Sequence, residues 1–171
     1  MDVIEAIKER RSVRNFTDEE VDMDKVRKLV ELGNLAPSAG NLQARDFIIV
    51  KDAKKRELLA EASRQSFVSK APVVLVVCAN KERIMHYGER GINLYCVQDA
   101  SAAVENILLA AHSFGLGTCW VGAFSEEKVA KILSLPKHVR PVAIIPIGHY
   151  SRKPEAPERF EAIRLIHTDG W

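Results

Sequence analysis

Three short segments carry residue types that do chemistry in combination. Arg10-Arg11-Ser12-Val13-Arg14 places three guanidiniums and a hydroxyl within five residues. Forked N–H donors suit the oxygens of a phosphate and leave a charge over for a second acceptor, so the segment is a dense anion receptor. The same residues would also suit a solvated basic helix end beside its C-terminal dipole. Ala36-Pro37-Ser38-Ala39-Gly40-Asn41-Leu42-Gln43 combines small residues, which let a backbone approach a flat ligand, with the amides of Asn41 and Gln43, which both donate and accept. Such a loop suits a heterocycle edge, and equally an ordinary helix-to-strand turn. The glycines of Gly115-Leu116-Gly117-Thr118-Cys119-Trp120-Val121-Gly122-Ala123-Phe124 do not follow GxGxxG, and no strand precedes them. A dinucleotide-binding phosphate turn is therefore excluded. What remains is a strand edge whose main-chain N–H groups at Val121 and Gly122 could face a ligand.

The remaining reactive residue types offer less. Five histidines show no HExxH or paired spacing, so no metal site is expected. His112 is expected to be a hydrogen-bonded core histidine, Cys119 a small buried residue, and Trp120 a core or interface side chain. No GxSxG elbow is present, which disfavours a hydrolase.

The elements that must position these residues are legible. A helix is expected from Asp2 to Arg11 with Ile4 and Ile7 on one face. A second opens near Asp22, carries Val26, Leu29 and Val30, and ends by Gly33 and Pro37. Asp46–Val50 reads as a strand, and Asp52 caps a helix holding Leu58, Leu59 and Ala62. Pro72–Cys78 is β-rich without polar alternation, which predicts a strand covered on both faces. Asp99–Phe114 is apolar around most of a helix and so must be buried all round. A second copy of the chain could supply that cover, with Leu108 as a trial partner-facing position. Thr118–Phe124 reads as a strand, Ser125 as the cap of a helix with Val129, Ile132 and Leu133, and Pro141–Gly148 as a strand. Pro146 suits an edge or a bulge. The tail from Ser151 to Phe160 is expected to be extended, and Ala162–His167 to form a strand. Interleaved helices and strands predict α/β or α+β with a sheet sandwiched by helices.

With 171 residues, 47% apolar and 28% charged, the chain has the composition of one globular domain, not a disordered or fibrous one. The 25 basic residues against 23 acidic ones argue against a polycation held to nucleic acid by its overall field. No apolar run reaches the roughly 18 residues of a membrane helix. The N-terminus lacks the pattern of a signal peptide, and the three cysteines are too scattered for a disulfide framework. A soluble, cytoplasmic protein is the expectation.

Taken together, the three segments resemble the FMN-dependent nitroreductase family. RRSVR looks like its RxSxR signature and APSAGNLQ like its APSxxNxQ loop. DASAAVENILLAAHSFGLGTCWVGAF is similar to its central helix and flavin-edge strand. The likeness runs over nearly the whole chain and is weakest near 53–70 and 80–95. It implies one FMN-binding domain over 1–171, α+β, with a mostly antiparallel sheet between helices. A C-terminal extension would reach onto the partner subunit of a homodimer that holds FMN at its interface.

The resemblance assigns residues as follows. Arg10 and Ser12 would hold the FMN phosphate with Arg11 beside them. Arg14 would sit by the N1/C2 edge, where a cation stabilises the reduced ring. Pro37, Ser38, Ala39, Asn41 and Gln43 would come from the other subunit. The Val121 and Gly122 amides would point at N5 and O4, and Gln65 would meet the pyrimidine edge. Arg159 would reach the phosphate, with Arg152 and Lys153 as competitors.

The implied reaction is ping-pong. NADH or NADPH delivers hydride to N5 and leaves, then a small acceptor (nitroaromatic, quinone, free flavin or oxygen) is reduced, with no side chain as acid or base. Other chemistry on the same scaffold, such as dehalogenation or dehydrogenation, a non-enzymatic flavin sensor or carrier, and a nucleic-acid contact through RRSVR are the alternatives. Two departures from the family pattern stand out. Gln43 is followed by Ala44-Arg45, where an aromatic ring is common. The Asn80–Cys96 stretch is short, which implies a more open pocket.

Overall fold

The computed structural model describes residues 1–171. Its centre is the run Val73–Asn80, β2, every residue of which is buried. Val73, Leu75, Val77 and Ala79 enter one apolar cluster, and Val74, Val76 and Cys78 enter another. Successive residues of a strand point to opposite faces, so an unbroken apolar run must be covered on both sides. Flanking β2 are β1 (Arg45–Val50) and β4 (Val139–Gly148), both antiparallel to it, and β4 in turn pairs with the short β3 (Gly117–Thr118). The sheet order is β1-β2-β4-β3.

Helices form the outer layers. On one face lie α2 (Met23–Asn34) and α6 (Cys96–Ser113), whose Val26, Leu29, Val104, Ile107 and Leu108 meet β2 and β4. On the other, α3 (Ala53–Ser63) and α7 (Glu126–Leu133) contribute Leu59 and Val129 to the second cluster. The amphipathic helix α1 (Val3–Glu9) packs against α6. Between α3 and β2 sits α4 (Phe67–Lys70), and α5 (Gly88–Arg90) leads through a π-helical turn over Gly91–Tyr95 into α6. Side-chain caps start the helices where short polar residues predict them. Asp22 accepts from Asp24 N, Asp52 from Lys55 N and Ser125 from Lys128 N. This is an α+β sandwich, as the interleaving of elements predicts. No helix is long and apolar enough to cross a membrane.

The structure refines or corrects several of these expectations. Helix α1 ends at Glu9 rather than Arg11, because Ser12 and Val13 leave it to run beside β3, Val13 N donating to Thr118 O at 2.8 Å. Ile4 and Ile7 are 57% and 56% exposed, and Ala6 is the buried residue of that helix. The strand predicted over Thr118–Phe124 is only Gly117–Thr118 plus a single bridge from Val121 to Ile144. Pro146 lies in an interior strand. Ile144 exchanges both backbone bonds with Val121, so Pro146, two residues on, faces the same side, in the gap between Thr118 and Val121 where no N–H is needed. Helix α6 is not enclosed by its own chain, since Ala102, Leu109 and Ala110 stay half-buried. Leu108, however, is 3% exposed within the chain and faces its core rather than a partner. Finally, Ala162–Leu165 is a 3-10 turn, and the tail from Ser151 on is exposed apart from Pro154.

Candidate functional site

The first segment and the tail converge. Arg10, Arg11, Ser12 and Arg14 share a pocket of about 300 Å³ with Pro154, Glu155, Pro157 and Arg159. Four guanidiniums thus face one carboxylate, that of Glu155. The pocket exists because Ser12 and Val13 lie against β3, and Gly117 permits that approach. A Cβ at Gly117 would stand 2.9 Å from Val13 Cβ and 2.8 Å from Tyr150 Cδ1. Arg11 is anchored through Nη1 to the carbonyls of Lys8 at 2.7 Å and Arg10 at 2.9 Å. Its Nε is buried with no acceptor in the chain, so one donor beside the pocket is left unpaired. Arg10 Nε is 4.0 Å from Glu105 Oε1 on α6. The Arg14 guanidinium sits 5.8 Å from the centre of the Phe67 ring, a cation–π distance. Of the three cationic candidates in the tail, Arg159 lines the pocket, whereas Lys153 pairs with Glu9. Gln65 is half-buried two residues before Phe67 and does not line this pocket.

The loop carrying Pro37, Ser38, Ala39, Asn41 and Gln43 lies elsewhere in the chain, at the N-terminal end of α6, and none of its residues borders the arginine pocket. Its middle is a 3-10 turn over Ala39–Asn41. Gly40 suits the turn through its φ of +56°, and a Cβ there would also displace the Tyr87 hydroxyl, 2.5 Å away. Gln43 Nε2 donates to Asn41 Oδ1 at 3.3 Å, which brings the two amides together.

Two residues hold this loop, Arg45, which the sequence marked only as a departure from the family pattern, and Asp99, to which it assigned no role. Arg45 is buried and spends all five N–H donors. Nε goes to Asn34 Oδ1 at 3.3 Å, and Nη1 to the carbonyls of Pro37 at 3.2 Å and Asp99 at 3.1 Å. Nη2 goes to the carbonyls of Asn34 at 2.8 Å and Ala36 at 2.7 Å. A cation thus satisfies the C-terminal carbonyls of α2, which carries no basic residue in its own last turn. The Asp99 carboxylate accepts from Ala39 N at 2.9 Å and Ala44 N at 3.2 Å. Burial lowers the Arg45 pKa, and the charge of Asp99 opposes that shift. The signal that could have found the pair is a carboxylate on an otherwise apolar helix and an arginine opening a strand, since buried charges are retained only with partners.

At the strand edge the prediction is half corrected. Val121 N donates to Ile144 O at 2.9 Å and is therefore not free for a ligand. Gly122 faces the opposite way, is exposed, and its N–H meets no acceptor in the chain. Cys119 is buried, as expected. Burial pushes its thiol pKa up, against the lowering effects of Arg14 and of the Ser12 hydrogen bond. Burial likewise pushes Cys78 up to about 12. Neither is a thiolate near neutral pH. His112 departs from expectation: it is half-buried and its Nε2 is buried without a hydrogen bond. Trp120 is 38% exposed, so it is not a core side chain.

The chain is similar to known proteins over most of its length. The Nitroreductase family model matches residues 7–68 and 60–149. A Methanothermobacter thermautotrophicus protein, provisionally named an NADH dehydrogenase/NAD(P)H nitroreductase, is 36% identical over 100% of this chain and 88% of its own. An FMN reductase (NADPH) of Bacillus subtilis is 33% identical over 98% of this chain and 76% of its own. Among solved structures, the NADPH:FMN oxidoreductase of Vibrio harveyi in complex with NAD+ has a TM-score of 0.90 at 29% identity, covering 99% of this chain and 77% of that one. With matching family segments, similar full-length relatives and a shared fold, the chain belongs to the nitroreductase family.

Proposed function

We infer that the chain is an NAD(P)H-dependent FMN oxidoreductase, one FMN-binding domain over 1–171 working as a homodimer in the cytoplasm, and that it reduces small acceptors such as nitroaromatics, quinones or free flavins. The observation that carries this reading is the arginine pocket, where the start and end of the chain bring four guanidiniums and a hydroxyl to one place. The donor set fits FMN. A phosphate monoester carries about two negative charges and three acceptor oxygens, which match forked cations, among them an Arg11 whose Nε is unpaired. Similarity to an FMN reductase and to an NADPH:FMN oxidoreductase supports the same cofactor and co-substrate.

The protein's own residues bind and orient. Arg10, Arg11, Ser12 and Arg159 hold the phosphate. Arg14, backed by the Phe67 ring, sets a cation where negative charge accumulates on reduction. Gly122 offers its free N–H to the ring edge. A flavin held by these residues would supply the redox chemistry between the nicotinamide and the acceptor. Asn41 and Gln43 lie away from the pocket of their own chain, so they serve the pocket of a second copy. The uncovered apolar side chains Val3, Ile4 and Ile7, with Phe160, Ile163 and Leu165 of the tail, support that pairing.

The test begins with the absorption spectrum of the purified protein and mass identification of what heat releases. Yellow protein that releases FMN, and is bleached by NADH or NADPH without air, is the expected result. Protein that stays colourless after incubation with FMN, or bound FMN that neither nicotinamide bleaches, refutes the reading.

A further inference from the structure

The loop between α2 and β1 holds two residues with a Cβ in the left-handed region. Asn41 and Gln43 have φ values of +56° and +50°, beside Gly40 at +56°. For residues with a Cβ, this left-handed region persists only where the surroundings enforce it. The enforcement comes from two buried charges that do not pair with each other directly. Arg45 is 2% exposed and Asp99 is 4% exposed, and all of their hydrogen bonds but one, from Arg45 Nε to Asn34 Oδ1, are made to main chain. Asp99 ties the amides of Ala39 and Ala44, the two ends of the turn. Arg45 ties the carbonyls of Asn34, Ala36 and Pro37 that lead into it and the Asn34 side chain, and its remaining bond, to Asp99 O, joins the two halves of the clamp. From outside, Arg83 Nη1 donates to Gln43 O at 3.1 Å. Every strained position is bracketed by one of these bonds, while Asn41 itself points outward and is exposed. Two charges committed to the loop leave it one shape, with Asn41 exposed and the half-buried Gln43 amide bonded to Asn34 and Asn41 beside it.

We propose that Arg45 and Asp99 are positioning residues: they touch no ligand, and they fix residues 38–44 so that Asn41 and Gln43 meet the flavin ring in a set geometry. The proposal rests on the FMN reading above for the identity of the ligand, while the clamp itself rests on hydrogen bonds within the chain. Lysine cannot replace Arg45, because three donors on one nitrogen cannot reach five acceptors spread over a planar fork.

Asp99→Asn and Arg45→Lys, each compared with the wild type as full-length protein, test it by two measurements. Amide hydrogen exchange is followed over 38–44 and over β2 in FMN-free protein. FMN affinity and the absorption spectrum of the bound flavin are then read by titration. Exchange over 38–44 should rise about tenfold or more, and FMN Kd should rise by a similar factor. The bound-flavin spectrum should move toward that of free FMN, with exchange in β2 unchanged. Arg45→Lys should fail to rescue despite keeping the charge, and it carries the test if Asp99→Asn does not fold. Unchanged exchange over 38–44 overturns the proposal. So does an equal rise in β2, which is a general loss of stability, and so does faster loop exchange with FMN affinity and spectrum intact. A wild-type protein that takes up no FMN is a separate failure, that of the functional reading, and it removes the ligand-facing half of the proposal before any variant is made.

Discussion

Removing one guanidinium from the arginine pocket separates recognition of the phosphate from recognition of the ring. Arg10 is the position to use, since its side chain is only 21% exposed and solvent screens little of its charge. A hydrogen bond to a charged group contributes about 1.5–3 kcal/mol. Glu105 stands 4.0 Å from Arg10 Nε and already takes part of that charge. The lower half of the range therefore applies, about 1.5–2 kcal/mol, or about ten- to thirtyfold in Kd. The assay is fluorescence titration of flavin-free Arg10→Ala with FMN and, in parallel, with riboflavin, which has the same ring and no phosphate. FMN Kd should rise by that factor, riboflavin Kd should hold, and the dependence of FMN affinity on salt should weaken. Arg159→Ala should act in the same direction and more weakly, because its side chain lies on the exposed tail. Equal FMN affinity in Arg10→Ala and wild type would refute the phosphate assignment. An equal loss for both flavins would refute it too, by moving Arg10 to the ring.

Three further outcomes are expected. In Gly117→Ala the new methyl would overlap Val13 and Tyr150, so urea unfolding should show a loss of about 1–3 kcal/mol together with weaker FMN binding; an unchanged midpoint contradicts the packing argument. Ile4→Glu with Ile7→Glu, at exposed positions of α1, should yield folded monomers with unaltered circular dichroism, and sedimentation showing intact dimers would remove α1 from the interface. The third outcome concerns pH. Arg140 hydrogen-bonds Glu126 at 2.7 Å and 2.9 Å and holds its carboxyl below the ordinary value of 4.5. A carboxyl whose folded-state pKa is depressed stabilises the fold above its unfolded value and loses that contribution as pH falls through the folded one. Glu126→Gln should therefore melt below the wild type at neutral pH and converge with it in acid; a constant gap across that range would exclude the pair as its source.

Much of the architecture follows from local pattern. The apolar run of β2 demanded cover on both faces, and Asp22, Asp52 and Ser125 marked helix starts because a short polar side chain there satisfies amides that would otherwise be orphaned. The anion-receptor reading of RRSVR was available from donor chemistry alone, and the family likeness drew Arg159 into the same site from the far end of the chain. Other features depend on which groups meet. That Val121 spends its amide on Ile144 while Gly122 keeps its own depends on strand pairing, which composition does not encode. Pro146 looked like an edge residue because an interior strand normally needs its N–H, and only the gap beside the two-residue β3 makes an interior place tolerable. Leu108 lost its expected partner-facing role for the same reason. Periodicity identifies an apolar face but not its partner, and packing put Leu108 against the chain's own sheet and left Ile7 in the open. Arg45 is the clearest case. From sequence it was a charge where a ring is common, and in three dimensions it is the centre of five hydrogen bonds to segments up to 54 residues away. A side chain's type and its neighbours along the chain are local properties, whereas the acceptors that make a buried cation tolerable are assembled only when distant segments fold against one another.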